Sequence, residues 1–219
     1  MFTNPTAPNL ADYLTFLYST VKIPPAQLPS TSGVATGGST TTLIDTIQAW
    51  AANRWAGYFV DDSTQGESAP VLSNTADTLT FSVAVANAIA AGDQYLIVTD
   101  SVYTSLLIAK ETVNETLNCG SAMLYTLAVY NLGADRLINF APDQTNQTFF
   151  RDLRKDMRIA DISVGVVSAS SDEATSMSML NPEAMKNFTL QDLQTLKTPY
   201  GRYYMGLAQA YGPTIWGLT

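Results

Sequence analysis

The chain has 219 residues, 46% hydrophobic and only 14% charged, with a net charge of −8. That acidic balance disfavours free nucleic acid as a partner of the whole chain. Histidine is absent and cysteine occurs once, at Cys119, so the commonest general base and pH switch is missing and neither an intrachain disulfide nor a cysteine metal site can form.

The charged fraction is well below the roughly 25% of ordinary soluble domains. Such a surface suits a chain largely covered by neighbours. No run of 18 apolar residues exists, so no membrane span is expected. The start, Met1-Phe2-Thr3-Asn4-Pro5, has neither a basic nor an apolar leader region, so no signal peptide is expected.

Leu10, Tyr13, Leu14, Leu17, Tyr18 and Val21 recur at helical spacing and predict a first amphipathic helix. Asn9, with Asp12 three positions on, is its N-cap, and Pro24-Pro25 ends it. A Ser/Thr/Gly linker is expected from Ser30 to Thr42, with a disordered arm as the alternative. Short β segments follow at residues 43–45, 58–60, 70–73, 78–83 and 94–98, separated by turn residues such as Gly57, Gly66 and Gly92-Asp93. Leu79, Phe81 and Val83 alternate with Thr80 and Ser82 and predict one buried face. Trp50 and Trp55 flank a helical or looped plug for this core. The expectation for residues 30–99 is a small antiparallel β-barrel or sandwich.

Residues 100–219 read as mainly helical. One helix is expected over 101–117 and another over 121–140, with Gly120 as the joint. The second is apolar nearly all round and predicts a central buried helix. A third helix, 145–158, places Phe149, Phe150, Leu153 and Met157 on one side. Residues 159–171 are β-branched and small and read as extended. Further helices start at Asn181-Pro182, at Thr189 with Asp192 in a capping box, and at Pro199. The overall fold class is α+β: a helical domain from 1–29 plus 100–219, an inserted β domain at 30–99, and an extended tail at 212–219.

Three groups of residues are candidates for contact with other molecules. Arg151, Arg154, Lys155 and Arg158, at i, i+3, i+4 and i+7, form an electrostatic dock or a merely solvated face. Tyr200, Arg202, Tyr203, Tyr204 and Tyr211 lie on the last helix, where Gly201 calls for close backbone packing. A tyrosine-rich helix face suits docking; the competing reading is that it closes the chain's own core. In the tail, Pro213, Ile215, Trp216 and Leu218 offer apolar anchors with too little sequence to fold alone.

Catalytic chemistry finds little support. Without histidine a Ser-His-Asp triad is excluded. Asp61, Asp62 and Glu67 lack EF-hand spacing, and Gly37-Gly38-Ser39-Thr40 lacks the lysine of a phosphate loop. Neither an enzyme nor a cofactor is expected.

The stretches Leu127-Ala128-Val129-Tyr130-Asn131-Leu132, Phe149-Phe150-Arg151-Asp152-Leu153-Arg154-Lys155 and Gly165 to Ser170 carry a resemblance, together with Leu190 to Arg202 and Tyr211 to Thr219. They resemble head–tail connector (adaptor or head-completion) virion proteins of tailed bacteriophages. The Thr198-Pro199-Tyr200-Gly201-Arg202 element is similar to one near the C-terminus of related small head–tail proteins. The resemblance covers residues 9–29 and about 101–219, and residues 30–99 look like an inserted module.

It implies a virion protein of the phage neck, made in the bacterial host cytoplasm and forming a homo-oligomeric ring, usually of twelve copies. The implied partners are the portal protein and a tail or nozzle protein, with genomic DNA passing through the ring without specific binding. The inserted module would hold a tail fibre, touch the capsid or thicken the ring. The alternative is another virion role: capsid decoration, tail completion or fibre anchoring.

Overall fold

The computed structural model describes residues 7–160, 169–172, 175–178 and 189–211. The helix expected at Asn181-Pro182 and the tail residues Pro213, Ile215, Trp216 and Leu218 lie outside the described residues, as does the side chain of Cys119.

Helix α1 spans Leu10–Phe16 and is capped as expected, the Asn9 side chain accepting from the Asp12 amide. The chain continues into a wider π-helical turn, Leu17–Val21, which Lys22 ends in the left-handed conformation. Ile23 and Leu28 then bury completely, anchoring the Pro24-Pro25 turn to the helical core.

Residues 30–99 form neither a barrel nor a sandwich but one open, seven-stranded antiparallel sheet in the order β1-β7-β4-β5-β6-β3-β2. Its strands are β1 (Thr31–Val34), β2 (Gly37–Gly38), β3 (Thr42–Ile44), β4 (Tyr58–Asp62), β5 (Glu67–Asn74), β6 (Thr78–Phe81) and β7 (Gln94–Thr99). The Ser/Thr/Gly segment is not a linker: it supplies both edge strands. Low hydrophobicity hid them, because an edge strand with one solvated face needs few apolar residues.

Only Ala35 and Thr36 separate the two edges. The Ala35 amide bonds to Asp93 of the β7 side and the Thr36 amide to Ile44 of the β3 side, so the sheet curls around one core. Leu43, Trp55, Val60, Val71, Leu79, Phe81, Ile89 and Ile97 fill it. The Trp55 plug is a series of turns, not a helix, with Arg54 stacked over the indole. Strand β6 stops at Phe81, and Val83 is exposed where burial was expected.

Strand β7 runs directly into helix α2 (Asp100–Thr112). The expected helix to residue 117 breaks at Val113, and α3 (Thr116–Gly120) follows. Ser121 caps α4 (Ala122–Phe140), the central helix. Ala128, Val129, Tyr130, Leu132, Leu137 and Ile138 are all fully buried within it, and each full burial of a large apolar side chain contributes about 1.5–3 kcal/mol.

Helix α5 (Phe149–Asp156) is shorter than expected, and the Asp143 carboxylate accepts the Phe150 and Arg151 amides at its start. A two-stranded ladder, β8 (Ala169–Asp172) with β9 (Thr175–Ser178), is separate from the large sheet. Helix α6 (Leu190–Thr195) has the expected capping box, and α7 (Pro199–Tyr211) packs along α4.

The sheet and the helices share a boundary. Phe59 and Leu96 pack against the helical core, Val98 is part of it, and Phe59 stacks on Tyr103 of α2 with centroids 4.2 Å apart. Among the described residues no helix is long and apolar enough to cross a membrane.

Candidate functional site

The tyrosine-rich helix α7 divides its residues between two roles. Tyr200, Tyr204 and Leu207 pack against the helical core, and Tyr200 Oη donates to the Val21 carbonyl. Tyr203 and Tyr211 are 50% and 60% exposed, so they alone of the tyrosines offer a broad outward surface. Arg202 is exposed and bonds back to the carbonyls of Leu196 and Lys197, closing the α6–α7 corner. Gly201 is required: a Cβ there would collide with the Thr195 carbonyl of the preceding helix.

The four basic residues around α5 also divide. Arg154 turns inward and donates through Nη1 to the carbonyls of Ile138 and Ala141 at 3.0 and 2.9 Å, satisfying the open end of α4. Arg158 lies beyond the helix, with φ of +52°, so it is off the helical row that the spacing predicted. Arg151, Lys155 and Arg158 are exposed, with Arg151 near Asp152.

A polar cluster that sequence reading missed lies beneath α7. Asp135, in the middle of apolar α4, is fully buried. Thr198 Oγ1 donates to its Oδ1 at 2.6 Å while accepting the Gly201 amide at 2.9 Å. Its Oδ2 has no hydrogen bond and sits 3.6 Å from Arg136 Nη1. Burial pushes the carboxyl up to about 6, against the pull of Thr198 and Arg136. Nearby, Tyr13 Oη and Ser105 Oγ share a buried hydrogen bond. Thr198 is thus both the cap of α7 and its tie to α4. A threonine directly before a proline at a helix start, and one acid within an apolar helix, were the available signals.

A cleft of about 480 Å³ opens between α1 and the β1–β7 side of the sheet. Leu10 and Leu14 of α1 form one wall; Ser32, Val34, Asp61 and Leu96 lie along the other. Asp61 is opposite Leu96, and Leu96 is opposite Ser32, so the three share one face of the sheet in a line across three strands. Burial pushes Asp61 up to about 6, with Lys110 pulling it back and Asp62 adding to the rise. Asp62 faces the other way, accepting the amides of Thr64 and Gln65, and Glu67 holds Asn87. The three acids considered together for a cation are therefore split. Among the described residues no three acidic, cysteine or histidine side chains converge on one point.

No family model, curated protein or solved structure matches this chain.

Proposed function

We propose that the chain is a structural protein of a tailed-phage neck, forming a ring below the portal that joins head to tail and extends the DNA channel. The observation that carries this reading is the placement of the resembling segments. Helix α1 and helices α2 to α5 and α7 share one core, and the large sheet's strands lie between α1 and α2 in the sequence, which supports reading it as an inserted module. Tyr203, Tyr211 and Arg202 on α7 supply a side-to-side contact, and residues 213–219 dock on the portal. Closed rings need heterologous contacts of this kind, with different patches meeting around the circle. A low-charge surface rich in hydroxyls and tyrosines suits such contacts. No catalytic role is proposed: Asp135 is sealed from solvent and already bonded to Thr198.

Mass photometry of the full chain, alone and mixed with portal rings from the candidate phage, tests this. The expected result is a small species alone and about twelve added copies on the portal, lost when residues 213–219 are deleted. A chain that stays folded and never associates with the portal would move the reading to capsid decoration or fibre anchoring, with the sheet as the contact.

A further inference from the structure

Strand β1 has one side on β7 and one side open. The Ala35 amide bonds to Asp93 in the continuation of the β1–β7 register, so Thr31 and Gly33 turn their backbone groups the same way, toward β7. Ser32 and Val34 therefore turn theirs outward. The next outward amide, Thr36, is taken by Ile44 of β3, but β3 ends there and the chain turns away at Asp45–Gln48. Among the described residues nothing bonds to the outward amides and carbonyls of Ser32 and Val34. Both residues are exposed, Val34 by 50%. An unpaired edge of this kind is a template for another extended chain.

The open edge borders the cleft described above, and the cleft chooses the occupant by charge. Asp61 is the one charged residue in its lining; no cation lines it. Among the described residues the Asp61 side chain makes no hydrogen bond and no ion pair within 4 Å, and Lys110 acts on it only from a distance. A strand added beside β1 at the ordinary ladder spacing lies three spacings, about 14 Å, from β4, so a lysine opposite Ser32 would send its extended side chain along the cleft toward the Asp61 carboxylate. Leu96, Leu10 and Leu14 would cover the methylene stem. Among the described residues the chain's own exposed cations do not fit as donors: Lys110, Arg151, Lys155 and Arg202 are on helices, Arg54 is stacked on Trp55, and Lys22 and Arg158 are held in left-handed backbone that no strand adopts.

We propose that the β1 edge and its cleft form a docking groove for an extended segment of a different protein, carrying a lysine or arginine that points to Asp61. The segment adds as an eighth strand through Ser32 and Val34. This inference does not depend on the virion reading.

Capped nonapeptides of alternating Thr and Val, with Lys, norleucine or Glu at the centre, test it against the full chain by NMR and fluorescence anisotropy. The Lys peptide is expected to protect the Ser32 and Val34 amides from exchange and to bind at least tenfold more tightly than the Glu peptide. Binding should also lower the Asp61 titration midpoint from about 6. Val34→Pro, which removes an outward donor without touching the β7 ladder, should abolish binding with the fold intact by circular dichroism. Asp61→Asn should bring the Lys and norleucine peptides level. Unprotected amides at 32 and 34 with the Lys peptide, or equal binding of Lys and Glu peptides, overturns the proposal. Protection that grows with protein concentration in the absence of peptide also overturns it, assigning the edge to a second copy.

Discussion

In the sheet, Asn74 takes the Trp55 amide and gives to the carbonyls of Ala51 and Thr75, partners at most 23 positions away. In the helical half, Thr198 reaches Asp135 across 63 positions, Tyr13 reaches Ser105 across 92, and Tyr130 reaches Asn9 across 121. The sheet settles its buried polar groups within itself, at Asn74 with turns close in sequence and at Tyr95 with Asp45, 50 positions away. The helical half settles them by joining the first helix to the second and the fourth, and the fourth to the last. The lesson is that damage in the sheet's turns stays local, whereas damage at a helical polar tie loosens a whole element. The same distinction separates the two carboxyls raised to about 6: Asp61 faces a cleft, while Asp135 is sealed beneath α7.

The largest effect should come from the core that both halves lean on. Leu132→Ala, at a fully buried site in α4, is expected to cost about 2–5 kcal/mol in urea unfolding. Helix and sheet probes should still melt together, because Phe59, Leu96 and Val98 tie the sheet to that core. Separate transitions would break the idea of a shared boundary.

Next comes Gly201→Ala, whose methyl meets the Thr195 carbonyl. Overpacking of this kind costs about 1–3 kcal/mol. Hydrogen exchange should speed up throughout α6 and α7 while the sheet amides are unchanged. Asn74→Ala is the counterpart in the sheet, expected to cost about 1–3 kcal/mol by stranding the buried Trp55 amide. Its exchange effects should be confined to residues 51–57 and 74–76; spread into α4 would erase the contrast.

The pH dependence of Asp135 sharpens it further. Its folded value lies above the ordinary carboxylate value, so folding favours the protonated form. That contribution is fully present below about pH 4 and is lost as pH rises through about 6, a swing on the order of 3 kcal/mol. Asp135→Asn keeps an oxygen for Thr198 and removes the charge. The wild type minus variant difference in stability should therefore favour the variant progressively from pH 4 to pH 7.5; a flat difference refutes it. The smallest expected effect is at Arg154→Met, about 1 kcal/mol from losing the cap on α4. Charge reversal at Arg151, Lys155 and Arg158 should leave stability unchanged and instead weaken ring assembly in a salt-dependent way.

Much of the fold was legible because its signals are local. Asn9 with Asp12, Thr189 with Asp192 and Pro199 marked helix starts that the structure has, and Gly201 marked a close approach. The β segments from residue 43 to 98 showed through their branched and aromatic residues. The edge strands β1 and β2 did not, because Thr31-Ser32-Gly33 and Gly37-Gly38 draw their order from neighbours rather than from their own side chains. Closure into a barrel or sandwich was the wrong expectation because strand count alone says nothing of how the edges end. The division of Tyr200 and Tyr204 from Tyr203 and Tyr211 needed the position of α4. So did the inward turn of Arg154, which charge spacing could not separate from its exposed neighbours.

The sheet enters and leaves the molecule through buried residues, Ile23 and Leu28 on one side and Val98 on the other. A module held at both stems cannot swing on a hinge. A sideways pull on any of its strands is passed through α1 and α2 into α4, and so to α7 on the far side. Mechanical load applied to the sheet is thereby delivered, through packed helices, to the same helix that carries the outward tyrosines.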